Sequence, residues 1–459
     1  LPFLPEKLFL MHPHLHPLLS AAAAAILTIA GNHLAAEPAE LRQTADGHWQ
    51  LLRNGEPFEI RGVGRLTHQE LAVACGANTI RTYTSGDPAD PATVAEIRGQ
   101  MDEAHARGLA FIRGLHLHRE SAGFSYATPA DRQRQRDRIR ATVRAFRDHP
   151  AILIWGLGNE AEGPRTKKAQ PEFWRELDQL ARIIKEEDPH HPVMTVIAGS
   201  SAWRIKAIHD YYPALDILGV NTYGGAATLP GRLDAAGWTR PFILTEFGPR
   251  GHWEVPKTKW GAPVEPDSEA KAANYERGYL GASADPRGRF LGAVCFVWGY
   301  KQEITGTWYG MFLETGEKTP AVDYITHVYQ NRWPANRSPR IEALTSELAM
   351  KTVPPGTTFA ATVKADDPEN DPLTFEWKVI RESGEKWAEG NREKVPPAIE
   401  GCIIAAPDPA PAAAAVAGPS VKVRAPDKPG AYRLFIFVRD GRGSGATQNI
   451  PFLVEKPKP

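Results

Sequence analysis

The 459-residue chain has little cysteine, no net charge and no hydrophobic run long enough to span a membrane as an ordinary helix. Its three cysteines, Cys75, Cys295 and Cys402, are too few and too scattered for a disulfide framework, so we expect small buried thiols. Lys and Arg together number 54, as do Asp and Glu, so no overall charge favours nucleic acid or an anionic membrane. A neutral ligand therefore fits this composition better.

The first apolar run is "LLSAAAAAILTIA" at 18–30, followed by the small residues of "GNHLAAEP". A short apolar run before small residues is typical of a signal peptide and its cleavage site. We interpret residues 1–40 as a signal peptide, which predicts a secreted or periplasmic protein. The alternative is a disordered N-terminal extension.

A strongly basic run, "DRQRQRDRIRATVRAFRDH", covers 131–149. Its apolar residues Ile139, Val143 and Phe146 recur at helical spacing. We interpret this run as a solvated helix face and expect no nucleic-acid partner.

Eight apolar, strand-like runs alternate with helix-like stretches between residues 45 and 335. Eight βα units of this size predict a (β/α)8 TIM barrel, in which active sites lie at the C-terminal ends of the strands. A doubly wound sheet is the alternative, but no Gly-rich phosphate-binding motif follows the first strand. The eight runs are 58–64, 77–83, 109–117, 151–159, 192–198, 215–223, 241–248 and 292–300.

The last region, 340–459, contains short alternating strands separated by turn residues, which predicts a small all-β, immunoglobulin-like sandwich domain. A Pro/Ala-rich stretch at 396–419 is typical of a flexible surface loop. An acidic group lies at 366–371, "DDPEND". These oxygens would suit calcium, although a solvated acidic turn has the same composition.

Two of the predicted strands end in a glutamate. "AILIWGLGNEAEG" brings Asn159 and Glu160 to the end of the fourth strand, and "PFILTEFGP" brings Glu246 to the end of the seventh. Both side chains would meet at the barrel mouth. A carboxylate pair about 5 to 5.5 Å apart performs retaining glycoside hydrolysis, with one as nucleophile and the other as acid and then base.

In these motifs the chain resembles the clan A glycoside hydrolases, and most closely the catalytic barrel of family 2. The resemblance implies an enzyme in which Glu160 is the acid/base and Glu246 the nucleophile. It also implies a set of substrate-binding or supporting residues, one or more at the end of each strand concerned: Arg81 (second), His116 or His118 (third), Asn159 (fourth), Tyr223 (sixth) and Trp298 (eighth).

Other residues near the predicted mouth have more than one interpretation. Glu162 and Glu303 are rival carboxylates: we assign Glu162 to a loop or an outer sugar contact, and Glu303 to substrate hydroxyls or a surface pair with Lys301. Aromatic rings in βα loops stack on sugars. Four tryptophans fall there, and we include Trp308 among the substrate contacts: Trp203, Trp253, Trp260 and Trp308.

We predict a β-glycosidase acting on a neutral oligo- or polysaccharide, with a β-glucan or β-galactoside preferred. A transglycosylase using the same glutamates and a non-catalytic carbohydrate-binding protein are alternatives. The His-x-His pair in "HLHRE", 116–120, suggests a metal hydrolase, but the fifth and sixth strands end without the histidines such a site needs. We therefore expect no metal and no cofactor. The sequence leaves the oligomeric state open.

Overall fold

The computed structural model describes residues 37–120, 123–162, 170–383, 393–404 and 418–457. Most of the predicted signal peptide and most of the Pro/Ala-rich loop lie outside these ranges. Within them, no helix is both long and apolar enough to cross a membrane.

Eight parallel strands, each hydrogen-bonded to two neighbours, close into a barrel, which confirms the predicted fold. Their side chains are almost all buried, because helices cover the outside and apolar residues such as Ile112, Ile154 and Ile243 fill the inside. The strands are β4 (Ile60–Gly64), β5 (Thr79–Arg81), β6 (Ala110–Leu115), β7 (Ile152–Asn159), β8 (Val193–Ala198), β9 (Ile217–Asn221), β10 (Phe242–Phe247) and β11 (Phe290–Cys295).

Helices follow the strands, and several begin where the sequence places a proline at the first turn. Asp90 caps one of them by accepting hydrogen bonds from the amides of Ala92 and Thr93, which satisfies donors that a helix start leaves free. The helices are α1 (Gln69–Ala74), α2 (Pro91–Ala106), α3 (Pro129–Phe146), α4 (Pro171–Glu187), α5 (Ala202–Tyr211), α6 (Leu229–Ala235), α7 (Ser268–Ser283) and α8 (Pro320–Gln330).

The basic run forms α3, as its apolar spacing predicts. Its arginines do not simply face solvent, because several of them pair with carboxylates of α4. Arg136 lies 2.6 Å from Glu176, and Arg144 lies 2.7 Å from Glu187. The excess of positive charge along α3 is thus partly neutralised by the neighbouring helix.

A three-stranded sheet precedes the barrel and was not predicted. It consists of β1 (Ala39–Gln43), β2 (Trp49–Arg53) and β3 (Glu56–Pro57). Ala39 and Leu51 join the hydrophobic cluster inside the barrel. Backbone hydrogen bonds from Ala39 to His190 and from Trp49 to Gly288 tie this sheet to loops that precede barrel strands. The sheet therefore covers the end of the barrel opposite the active-site loops.

The C-terminal region is a β-sandwich of two four-stranded sheets. Their inward side chains, such as Phe359, Val423 and Ile436, form one core. The strands are β12 (Arg340–Ser346), β13 (Thr352–Val353), β14 (Thr358–Asp366), β15 (Thr374–Arg381), β16 (Ile403–Ile404), β17 (Ser420–Arg424), β18 (Gly430–Arg439) and β19 (Gly445–Val454). One sheet has the order β12-β14-β17-β16 and the other β13-β19-β18-β15.

The acidic group after β14 forms a hydrogen-bonded turn. Asp367 accepts the amides of Glu369 and Asp371, at 2.9 and 3.0 Å. Glu369 pairs with Arg337, and Asp371 pairs with Arg442. Across the described residues, no three or more His, Cys, Asp or Glu side chains converge as they would around a metal ion.

Candidate active site

The end of β7 is irregular where the sequence reads Gly-Asn-Glu. Between Leu157 and Asn159, β7 advances two residues while its partner β8 advances one, so Gly158 is an extra residue. Gly158 has φ +75°, and a Cβ there would lie 2.7 Å from Leu117. Glu160 also has a positive φ, 49°. This turn replaces the alternation of a regular strand and brings two consecutive polar side chains to the mouth.

The end of β10 has the same kind of irregularity. Its residues Leu244 and Glu246 pair with consecutive residues of β9, which makes Thr245 the extra residue. The Thr245 hydroxyl donates to Asn221 Oδ1 at 2.9 Å, and Glu246 is 6% exposed. Thr245 and Glu246 therefore both take part in the polar cluster at this end of the barrel.

A continuous set of hydrogen bonds links the two glutamates. Arg81 donates from Nη1 to Glu246 Oε1 at 3.2 Å and from Nη2 to Asn159 Oδ1 at 2.6 Å. Asn221 Nδ2 donates to Asn159 Oδ1 at 3.1 Å and to Glu160 Oε1 at 2.9 Å. Four barrel strands, β5, β7, β9 and β10, thus hold both carboxylates at the same end of the barrel.

Glu246 is held on its second oxygen as well, by the Tyr223 hydroxyl at 2.8 Å. Burial raises the pKa of Glu246; the positive charge of Arg81 opposes this, the negative charge of Glu160 adds to it, and the Tyr223 hydrogen bond opposes it. The balance leaves the pKa above its ordinary value. Burial and the adjacent Glu246 also raise the pKa of the Tyr223 hydroxyl well above its ordinary value, so this group stays protonated and remains a donor.

Aromatic and charged side chains after β11 form the next part of the mouth. Phe296, directly after the strand, packs edge to face against Tyr223 with ring centroids 6.0 Å apart. Lys301 Nζ lies 4.6 Å from the Phe296 centroid and 2.6 Å from Glu303 Oε2. Glu303 thus has the Lys301 pairing that the sequence suggested, and this pair lies close enough to Glu246 for Lys301 to lower the pKa of that carboxyl.

The structure places two predicted sugar contacts out of reach of a ligand. Trp298 is 0% exposed, with its ring packed edge to face on Phe312. Trp308 is 1% exposed and donates its indole N–H to the Arg250 carbonyl at 3.0 Å. The rings in a position to line the mouth are instead those of Phe296 and of Trp253, which is 48% exposed and contacts Tyr223.

Other predicted residues lie outside the hydrogen-bonded cluster. His116 and His118 are exposed, with their rings 5.5 Å apart, and neither is hydrogen-bonded to Glu160 or Glu246 in the described structure. Glu162 is buried and pairs with Arg204 at 2.7 Å, so it holds a loop in place.

Sequence reasoning missed Asn221, which belongs to the cluster, and Tyr83, whose ring packs on Arg81, although a signal was present for each. Asn221 lies two residues before Tyr223 in "GVNTYGG", at the end of the same strand. Tyr83 follows Arg81 by two residues, and its ring lies 4.4 Å from the Arg81 guanidinium carbon. Its hydroxyl occupies space that a side chain at Gly64 would fill, since a Cβ there would be 2.9 Å away.

Residues 73–252 match the family described as glycosyl hydrolases family 2, TIM barrel domain. The matched range contains Arg81, Glu160, Tyr223 and Glu246, and it excludes the sandwich. Over residues 73–252, the match confirms the resemblance to family 2 that the strand-end motifs carry.

Solved structures of three bacterial beta-glucuronidases also resemble the chain, which spans about half the length of each. Bacteroides uniformis beta-glucuronidase is 14% identical over 91% of this chain and 48% of its own, with a TM-score of 0.49. Bifidobacterium dentium beta-glucuronidase complexed with coumarin-3-O-glucuronide is 19% identical over 63% and 49%, with a TM-score of 0.46. Ruminococcus gnavus beta-glucuronidase is 14% identical over 64% and 53%, with a TM-score of 0.48.

Proposed function

We propose that this barrel, which matches the glycosyl hydrolases family 2 TIM barrel domain over residues 73–252, is a retaining β-glycosidase with Glu246 as nucleophile and Glu160 as acid and base. The observation that carries the proposal is the hydrogen-bonded path from Glu246 through Arg81, Asn159 and Asn221 to Glu160. It fixes two carboxylates relative to each other at the end of the barrel where chemistry occurs.

In the proposed reaction, a Glu246 oxygen attacks the anomeric carbon while Glu160 gives its proton to the departing glycosidic oxygen. Glu160 then removes a proton from water, and the resulting hydroxyl displaces Glu246 from the sugar. Arg81 and Tyr223 each hold one oxygen of Glu246, so the carboxylate is oriented before substrate arrives. The raised pKa of Glu246 is consistent with a charge that is only partly neutralised and therefore reactive.

A neutral β-linked sugar is the proposed substrate, with a β-glucoside or β-galactoside preferred. Support comes from the charges near Glu246. The ammonium of Lys301 lies 2.6 Å from the carboxylate of Glu303, so the nearby cation is already paired. The pair leaves little net charge to attract an anionic sugar, while exposed Trp253 offers an apolar face for ring stacking.

A β-linked uronic acid is a second candidate because Lys301 would bind its carboxylate if Glu303 released the ammonium. Comparing aryl β-glucoside, β-galactoside and β-glucuronide substrates separates the two. We expect the highest kcat/KM on a neutral glycoside. Glu303→Gln frees Lys301, and we expect it to increase relative activity on the glucuronide.

The mechanism is tested by product stereochemistry, recorded by NMR before the sugar equilibrates. Wild-type enzyme should release the β anomer from a β-glycoside. In Glu160→Ala, azide should restore turnover and give the β-glycosyl azide, because azide needs no general base. Release of the α anomer by wild-type enzyme would contradict retention, and an α-azide from Glu160→Ala would mean that the two roles are exchanged. Transfer to a second sugar in place of water would identify a transglycosylase.

A further inference from the structure

A cavity lies between the barrel and the sandwich, and neither Glu160 nor Glu246 lines it. It has a volume of about 210 Å³. One wall is the loop after β11, with Tyr300, Gln302 and Ile304. The other walls come from β15, β18 and the segment 395–398 of the sandwich. None of the residues that line it belongs to the cluster around Glu160 and Glu246.

The loop after β11 separates this cavity from the barrel mouth. Lys301 and Glu303 interact on the mouth side with Phe296 and His252. The alternate residues of the same loop, Gln302 and Ile304, line the cavity. The Ile304 amide donates to Glu393 of the sandwich at 2.7 Å, which holds the loop against that domain.

The cavity walls are largely apolar, and the charged side chains in them are either paired or exposed. Phe435 and Phe437 have nearly parallel rings, inclined by 18°. Arg433 lies 2.9 Å from Glu382, and Lys378 lies 2.7 Å from Glu376. Arg381 and Glu314 of the lining are exposed and of opposite sign, and the cations that are not exposed have partners, so the cavity favours an uncharged ligand.

Among the described residues that line the cavity, one buried side-chain nitrogen has neither a hydrogen bond nor an ion-pair partner. Gln302 Nε2 is buried and has no hydrogen-bond acceptor among the described residues. A buried donor of this kind gains by binding an acceptor on a ligand. A sugar would bring several hydroxyls that each need a hydrogen-bond partner. An aromatic ring with one hydroxyl brings a single oxygen, which Gln302 Nε2 can bind, and an apolar face for the walls.

We propose that this cavity is a binding site for a small uncharged aromatic alcohol, whose ring packs on the apolar walls and whose oxygen accepts from Gln302 Nε2. The site is separate from the proposed glycosidase reaction and uses none of its residues.

The experiment uses 2-naphthol as the probe and follows its fluorescence on titration with the full chain. We expect saturable binding with one site. Ala398 is exposed on the cavity wall, so Ala398→Phe should fill the space without disturbing a core and weaken binding at least tenfold. Gln302→Leu should weaken it about fivefold through loss of one hydrogen bond. The charged analogue 2-naphthoate should bind at least tenfold more weakly than 2-naphthol.

The matched control is Ala349→Phe, which adds the same ring at an exposed alanine elsewhere on the sandwich and should leave the affinity unchanged. Circular dichroism and thermal unfolding establish that the variants fold. The proposal is overturned if wild-type protein shows no saturable binding, or if Ala398→Phe binds as tightly as wild type, since the probe would then occupy another site such as the barrel mouth.

Discussion

Two buried glutamates, Glu246 at the barrel mouth and Glu265 at the seam between barrel and sandwich, have opposite electrostatics. Glu246 has its pKa raised. Burial also raises the pKa of Glu265, but Lys271, Arg433 and direct hydrogen bonds outweigh burial and leave it below its ordinary value. Its oxygens accept from Lys271, Thr305, Thr307 and Asn449, at 2.7 to 2.8 Å.

The comparison shows how the number of donors separates a carboxylate that stabilises the fold from one that is available for chemistry. Glu265 has four donors, one of them a buried ammonium, and they come from α7, from the loop after β11 and from β19. Glu246 has Arg81 and Tyr223 and lies near a second carboxylate. The donors at the seam therefore stabilise the negative charge of Glu265, whereas those at the mouth leave the charge of Glu246 partly uncompensated.

The largest expected effect is the loss of catalytic activity when the negative charge of Glu246 at the mouth is removed. Glu246→Gln should reduce kcat on an aryl β-glycoside by about a thousandfold or more, because an amide cannot form the glycosyl-enzyme. The control is Glu162→Gln, which changes another buried glutamate near the mouth but one paired with Arg204. Its kcat should fall far less. Equal losses in the two variants, both folded, would remove the distinction between them.

Removing the charge at the seam should affect stability instead. Glu265→Gln leaves Lys271 unpaired in a buried site and should lower the free energy of unfolding at neutral pH by about 3 kcal/mol, measured with urea. Glu70→Gln, at a carboxylate 88% exposed and 3.6 Å from Arg107, should change it by less than about 0.5 kcal/mol.

The stability difference between wild-type protein and Glu265→Gln should also depend on pH. Because the folded pKa of Glu265 lies below its ordinary value of 4.5, its contribution is complete above that pH and is lost as the pH falls through the folded pKa. A stability difference that stays constant into strong acid would contradict the assignment.

A smaller effect is expected from removing one donor at the mouth. Tyr223→Phe takes away the hydrogen bond that lowers the pKa of Glu246, so that pKa should rise further. Since Glu246 must be ionised to react, the acidic limb of kcat/KM should move to higher pH, with a loss of about tenfold near the optimum. An acidic limb that shifts to lower pH would contradict this account.

Much of the barrel site was predictable because its residues lie at the ends of apolar runs that had to be buried strands. Arg81, Asn159, Glu160, Tyr223 and Glu246 each follow such a run, and parallel strands bring their ends together. The tryptophans were less predictable, because residue type alone does not distinguish a ring that packs on a sugar from one that fills a core. Trp298 and Trp308 are fully buried, and the half-exposed Trp253 lies beside Tyr223.

From the sequence alone, strand periodicity and strand-end motifs determined the (β/α)8 barrel, the sandwich after it, and which carboxylates reach the barrel mouth. Only the tertiary structure decided how those carboxylates are held: the extra residues Gly158 and Thr245 appear only when neighbouring strands are paired. The tertiary structure also decided the contacts of Glu265 between the two domains, because Glu265 and Asn449 are 184 residues apart and meet only when the domains pack together. Local patterns reflect burial and secondary structure, but a charge is stabilised by all the groups around it, and those come from distant parts of the chain.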